Sequence, residues 1–251
     1  MIKLERVSKR YAGQDIVKNV SLSVPVGQVV SFIGANGAGK STLFSLMSRL
    51  ATQDDGRIII DDKDIAQWDQ EELARTLGIL KQTNELHIRL TVRELVEFGR
   101  FPHAKSRLTK EDHEHVKHAL TFMELESVAD KYVDELSGGQ KQRVYIAMVL
   151  AQDTKYILLD EPLNNLDIKH SMQMMKLLRR MTRELNKTVL VIMHDINFSA
   201  SYSDYIFAFK NGEKIYEGNV EEVIQTEILR DIYDTDIRVT EVNHCKVCLY
   251  N

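Results

Sequence analysis

Residues 34–41 read Gly-Ala-Asn-Gly-Ala-Gly-Lys-Ser, the composition and spacing of a loop that holds phosphate. Glycines let backbone N–H groups wrap an anion with no Cβ in the way, and a helix opening on the loop adds its own N–H donors. On this reading Gly34, Asn36, Gly37, Ala38, Gly39, Lys40, Ser41 and Thr42 bind a nucleotide. Lys40 brings a point charge to the β- and γ-phosphates, and the Ser41 hydroxyl holds Mg²⁺. A plainer reading is a glycine turn that only caps a helix. The context favours the phosphate role, because the loop follows the apolar run VVSFIG and opens the helically periodic KSTLFSLMSRL.

The carboxylates that such chemistry needs stand downstream. YILLDE is an apolar strand pattern ending in Asp160 and Glu161. Side chains alternate along a strand, so the two need not share a role. Asp160 is assigned to Mg²⁺, directly or through water, and Glu161 to orienting and polarising the attacking water. Gln82 follows the apolar run LGILK, where its amide can reach both metal and water, and His194 follows TVLVIM, where an imidazole can meet the γ-phosphate. All these groups are polar residues at the end of apolar strands, the edge at which ligands collect in open α/β sheets. Tyr11 precedes a glycine turn and offers a ring to stack on adenine, although a tyrosine packed on its own hairpin has the same position. A second glycine-broken helix start lies in DELSGGQKQRVYIAM. Ser137, Gly138, Gly139 and Gln140 form another place where free N–H groups and the helix dipole favour an anion.

Elements to position these residues can be read along the chain. IKLERV and DIVKNVSLSV alternate like strands, with the chain turning on at Pro25 and Gly27, and GRIIID and TLGILKQ add two more. From about Thr91 to Ala151 strand signals give way to helical ones: VRELVEFGR, then TKEDHEHVKHALTFMEL with Thr109 as N-cap, then GGQKQRVYIAMVLAQ. Strand character returns in YILLD, TVLVIMHD and YIFAFKNGEKIYEG. The pattern is an α/β core with a helical insertion. His113, His115 and His118 lie among Glu111, Asp112, Glu114 and Lys117 and read as a solvated helix face. Cys245 and Cys248 read as small apolar side chains of a terminal strand.

Composition narrows the classes. A 251-residue chain with 43% hydrophobic and 28% charged residues is an ordinary globular one. Its net charge of -4 offers no basic field for nucleic acid. No uninterrupted apolar run approaches the roughly 20 residues that span a bilayer. The opening MIKLERVSKRY lacks the apolar core of a signal peptide, so a cytoplasmic place is expected, with membrane contact only through a partner.

The phosphate loop GANGAGKST, Gln82, LSGGQ at 136–140, YILLDEP, Leu166-Asp167 and His194, in that order, resemble the ATP-binding subunit of ABC transporters over nearly the whole chain. IAMVLAQDT, EPLNNLDIKH and HDIN are most similar to the branch importing ferric siderophores, haem and cobalamin. ELVEFGRFPH and EPLNNLD are most similar to its catecholate or petrobactin subgroup. Ala35 stands where the family commonly has proline, and Leu163 where it commonly has threonine; neither change removes a ligand-bearing side chain.

The resemblance implies an α/β fold with a P-loop NTPase (RecA-like) core, an N-terminal antiparallel β subdomain and an inserted helical subdomain. Core residues would be 1–84 and 155–222, the insertion 85–154, and a C-terminal extension 223–251. It implies Tyr11 as the adenine-stacking residue, Asp167 as a further nucleotide-site residue, and Glu161, His194 and Gln82 as the catalytic set, with Ser41, Gln82 and Asp160 on Mg²⁺. It also implies ATP and Mg²⁺ as cofactors, a homodimer in which LSGGQ of one chain closes over ATP held by the other, two permease subunits, and a substrate-binding protein. The expected place is the cytoplasmic face of the inner (plasma) membrane, held there by the permease, with no direct contact with the siderophore. Rival readings are a permease-free ABC ATPase of iron–sulfur assembly, repair or translation, a P-loop kinase, which has no use for LSGGQ, and a nucleotide sensor, against which Glu161 and His194 speak together.

Overall fold

The computed structural model describes residues 1–82, 88–104, 107–243 and 245–250. The chain divides into two compact units, Met1–Trp68 with Thr188–Asn251, and Asp69–Lys187. Neither dividing point coincides with the expected limits of the helical insertion, 85–154, whose first boundary lies outside the described residues.

The first unit opens with β1 (Ile2–Tyr11) and β2 (Gln14–Ser23), an antiparallel pair whose inward residues Ile2, Leu4, Val7, Val20 and Leu22 are buried. β3 (Val29–Gly34) is buried at every residue, as a parallel strand covered on both faces must be. It leads through the phosphate loop into α1 (Lys40–Met47). β4 (Asp55–Ile60) and the short β5 (Lys63–Asp64) complete an antiparallel sheet of order β2-β1-β4-β5.

The second unit holds α2 (Gln70–Thr76), β6 (Leu77–Leu80), α3 (Val92–Glu97), α4 (Lys110–Phe122), α5 (Gly138–Ala151), β7 (Tyr156–Asp160) and α6 (Ile168–Leu185), with β6 and β7 paired in parallel. The expected Thr109 cap is present: its hydroxyl accepts the Asp112 N–H, and the Asp112 carboxylate answers the Thr109 N–H, a closed capping box. Eighteen-residue α6 is the main element absent from the expectations above. Its buried Met174, Met175, Leu178 and Met181 follow helical spacing, but Lys176, Arg179, Arg180 and Arg183 on the other positions dilute its hydropathy.

The chain then returns to the first unit. β8 (Thr188–Ile192) is followed by α7 (Ile196–Tyr202), β9 (Tyr205–Lys210), β10 (Glu213–Gly218), α8 (Val220–Val223), α9 (Thr226–Tyr233), β11 (Ile237–Val242) and β12 (Cys245–Tyr250). β8 and β9 flank β3, both parallel to it, and β10 turns back antiparallel on β9. The terminus is thus a helix and a hairpin where a single strand was expected, and only Cys248 is a buried apolar side chain; Cys245 is exposed. Burial pushes the Cys248 thiol up to about 11, which leaves it a neutral packing group.

One buried ion pair fastens the helices of the second unit. Arg100 and Asp112 are 3% exposed each, with Nε donating to Oδ1 at 2.8 Å, and a guanidinium N–H of Arg100 also reaches the Ala151 carbonyl at 2.7 Å. Burial alone would raise the Asp112 pKa. The Thr109 N–H and hydroxyl, together with Arg100, outweigh it and bring the carboxyl down to about 2. Because that value lies below the ~3.9 of an unfolded aspartate, the stabilisation is complete above about pH 4 and is lost as pH falls toward 2. Replacing Asp112 by Ala strands the Arg100 charge and removes the carboxylate half of the capping box, leaving the Thr109 hydroxyl on the backbone N–H of residue 112. Urea unfolding at pH 7 should show a loss of about 3–5 kcal/mol, and the gap from wild type should close as pH approaches 2.

Candidate nucleotide site

The first unit supplies the phosphate loop. Gly39 is the N-cap of α1 at φ 91°, in the left-handed region, and a Cβ built there would stand 2.5 Å from the Ile16 carbonyl oxygen; only glycine fits. No side chain caps α1. By contrast, α2 to α8 each take a cap from Asp69, Thr91, Thr109, Ser137, Asp167, Asp195 or Asn219. A helix left without a cap at a glycine loop, with no acidic residue in its first turn, suits an anionic ligand. Lys40 is 5% exposed, and its ammonium donates to the carbonyls of Gly34 at 2.7 Å and Ala35 at 3.0 Å, so the charge is held over the loop. The Ser41 side chain belongs to an exposed residue at the helix start. Tyr11 is 48% exposed at the end of β1, with the Lys9 ammonium 5.3 Å from its ring centre, and so is open to stacking. His194 lies two residues beyond β8 rather than at its end, exposed, just before the Asp195 cap of α7. Pairing with β3 continues to Met193, whose N–H donates to the Phe32 carbonyl, so His194 leaves directly from the sheet edge.

The second unit supplies the carboxylates and the second glycine turn. β7 is wholly buried and delivers Asp160 with 8% exposure. Glu161 then turns out of the strand at φ 54°, a left-handed conformation that a non-glycine residue adopts at a cost of about 1–3 kcal/mol, and such positions concentrate at functional sites. Its Oε2 takes two amide donors: Gln82 Nε2 at 2.7 Å and Asn164 Nδ2. Gln82 lies two residues beyond β6, not at its end as expected, and the structure brings it to Glu161. Asn164 was not among the expected residues; only its distance of three residues from Glu161 hints at the contact.

LSGGQ forms the start of α5, which begins at Gly138, the first residue of the run GGQKQRVYIAMVLAQ read as a helix. Leu136 is buried, Ser137 and Gly138 are exposed and Gly139 is buried. Ser137 and Gln140 form a capping box, with the Ser137 N–H donating to Gln140 Oε1 at 3.1 Å and the Gln140 N–H to Ser137 Oγ at 3.4 Å. Gln140 therefore orients the serine. Asp167 caps α6: its Oδ1 accepts the His170 N–H at 2.8 Å and lies 2.8 Å from His170 Nδ1, and these two contacts, the backbone one foremost, lower its pKa. A Cβ placed on Gly139 would stand 2.6 Å from Cδ2 of that ring. His170, unassigned in the sequence, thus joins the Asp167 cap to the glycine turn.

The ABC transporter profile matches residues 17–164, which include the phosphate loop, Gln82, LSGGQ and the two carboxylates. The chain belongs to the ABC transporter family. It is an ATPase whose cofactors are ATP and Mg²⁺. It is 52% identical over 250 residues to the petrobactin import ATP-binding protein YclP of Bacillus subtilis, covering 100% of this chain and 99% of that protein. It is 46% identical to the petrobactin import ATP-binding protein FatE of Bacillus anthracis, with 100% of each chain covered. The dimeric ABC transporter cassette MJ0796 superposes with a TM-score of 0.77 at 35% identity, over 88% of this chain and 99% of that one.

The close approach of His170 to Gly139 in this ABC ATPase has a direct test. Gly139→Ala forces the ring aside and should cost about 1–3 kcal/mol in thermal or urea unfolding. With His170→Ala in the background, the same change should cost markedly less, giving a coupling well above the ~0.5 kcal/mol of independent sites.

Proposed function

We propose that this chain hydrolyses MgATP as the paired motor subunit of an importer of iron(III)-siderophore complexes. The observation that carries the substrate class is the full-length identity of 52% and 46% to two petrobactin import ATP-binding proteins. It favours a transporter subunit over a permease-free ATPase, since the shared sequence extends past the nucleotide motifs to the end of the chain.

Roles follow from the side-chain chemistry. The loop formed by Gly34, Asn36, Gly37, Ala38 and Gly39, with Thr42, cradles the phosphates, Lys40 balances charge at the β- and γ-phosphates, and Tyr11 stacks on adenine. Ser41, Gln82 and Asp160 are the oxygen donors suited to Mg²⁺, which when bound would neutralise charge on the phosphate oxygens. Glu161, oriented by Gln82 and Asn164, polarises the attacking water or takes its proton, and His194 contacts the γ-phosphate. In a homodimer, Ser137, Gly138, Gly139 and Gln140 of one copy close over the ATP of the other, with Asp167 beside them on α6. The core of 1–84 and 155–222, the helical insertion 85–154 and the extension 223–251 remain the domain reading within this proposal.

Two permease subunits and a substrate-binding protein complete the assembly. The permease is assigned to a groove of about 400 Å³ on the second unit, lined by Leu90, Glu94, Glu97, Phe98, Phe101 and Arg107. Phe101 there is 74% exposed and stacks on Phe98 with ring centres 6.4 Å apart, an apolar pair left in water. No helix among the described residues is long and apolar enough to cross a membrane. In this proposal the permease holds the subunit at the cytoplasmic face, and the siderophore passes through the permease without touching it.

Deleting the gene and growing the cells on a panel of iron–siderophore complexes tests the proposal. Growth on one catecholate or petrobactin-type complex should fail, return with the wild-type gene, and stay absent with Lys40→Ala, whose purified protein should also lose hydrolysis and bind ATP weakly. Undiminished growth on every complex would remove the siderophore assignment. Wild-type turnover by Lys40→Ala would remove the phosphate-loop assignment.

A further inference from the structure

Tyr233, the last residue of α9, reaches the first residue of the phosphate loop. The Gly34 N–H donates to its hydroxyl at 3.2 Å, while the Gly34 carbonyl accepts the Lys40 ammonium at 2.7 Å. The peptide planes on both sides of the Gly34 Cα are therefore held by side chains, one from the loop's own lysine and one from a segment beyond residues 17–164. Burial pushes the Tyr233 phenol well above its ordinary value, so the hydroxyl stays neutral and keeps its acceptor lone pairs for the amide at any working pH.

Tyr233 is set there by its own element. Leu229 and Ile232 of α9 are buried in one cluster with Ile33, the residue just before Gly34, and with Ile237 and Cys248 of the terminal hairpin. Lys210 of β9 holds the end of α9 through the Asp231 carbonyl and, at 2.8 Å, the Asp234 carboxylate. The hairpin is tied in turn to α7, three residues after His194. The Asn197 side-chain amide donates to the Cys248 carbonyl at 3.1 Å and accepts the Cys248 N–H at 2.7 Å. A terminal extension that only covered the core would need the apolar cluster and not a phenol on a phosphate-loop amide.

We propose that the C-terminal segment from Thr226 to Tyr250 is a working part of the nucleotide site, with Tyr233 as a positioning residue that fixes the entry of the phosphate loop. The inference rests on the reading of that loop as the ATP site. Loss of the hydroxyl leaves the Gly34 amide without this acceptor and frees the plane before it, so the loop's N–H groups no longer converge on one point. The effect falls on phosphate binding, in the ground and transition states alike, and so belongs in KM more than in kcat.

Tyr233→Phe in the full-length protein keeps the ring and its packing. Equilibrium titration with MgATP should show affinity weakened about five- to tenfold, with kcat changed less than KM. Inorganic triphosphate as competitor should weaken in parallel and adenosine should not. Amide hydrogen exchange across Ile33–Ala35 should speed up. Unchanged ATP affinity, unchanged exchange, or equal weakening for adenosine and triphosphate would each overturn the assignment. Lys40→Ala is measured alongside: if it retains normal ATP affinity and turnover, the phosphate-loop reading itself fails. A normal Tyr233→Phe beside a defective Lys40→Ala sinks only the role of Tyr233.

Discussion

A triphosphate concentrates negative charge in a small volume, and the fold must answer it with donors that its own chain has not already used. The start of α1 meets that constraint by omission. Seven of the nine α-helices among the described residues receive a cap from a short polar side chain, whereas α1 begins on a left-handed glycine with none. Its buried Lys40 donates to the carbonyl oxygens of Gly34 and Ala35, which keep the ammonium over the loop. Everything behind the loop serves to hold this arrangement still: β3, buried at each residue between β8 and β9, the Ile16 carbonyl against Gly39, and Tyr233 on the Gly34 amide.

The second glycine turn differs in kind. At the start of α5 the serine already caps its helix and exchanges hydrogen bonds with Gln140, and the imidazole of His170 stands where a side chain of Gly139 would be. Such a turn is oriented in advance but is not left open. It suits a contact made when a phosphate is delivered from outside, at the expense of one weak cap bond of 3.4 Å, better than it suits permanent occupation. In the function proposed above the two turns divide the work: one holds nucleotide and the other closes over nucleotide held by a second copy.

Legibility in the sequence followed the scale of the signal. The phosphate loop, the apolar strands ending near Asp160 and His194 and the helical run from Thr91 to Ala151 could all be read, because each couples a backbone requirement to a short pattern. Thr109 could be read as a cap for the same reason. What could not be read depends on contacts distant in sequence or on diluted patterns. The charge-dense α6 hid its methionine stripe, and with it went His170 and its approach to Gly139. The Arg100–Asp112 pair spans twelve residues across a change of element, and Tyr233 meets Gly34 across 199. The strand ends were misjudged by two residues at Gln82 and His194, yet both side chains still leave from the expected edges.

The division of work between the two turns is tested most directly by size-exclusion chromatography of the Glu161→Gln protein with MgATP, alone and combined with Ser137→Arg. Removing the carboxylate charge should stop hydrolysis while nucleotide still binds, so that a dimer closed on ATP accumulates in the single variant. The arginine fills the space of the trans contact without touching Lys40 or Tyr11, so the double variant should bind ATP and elute as a monomer. A double variant that dimerises as fully as the single one would contradict the claim that LSGGQ of one copy closes over the ATP of the other.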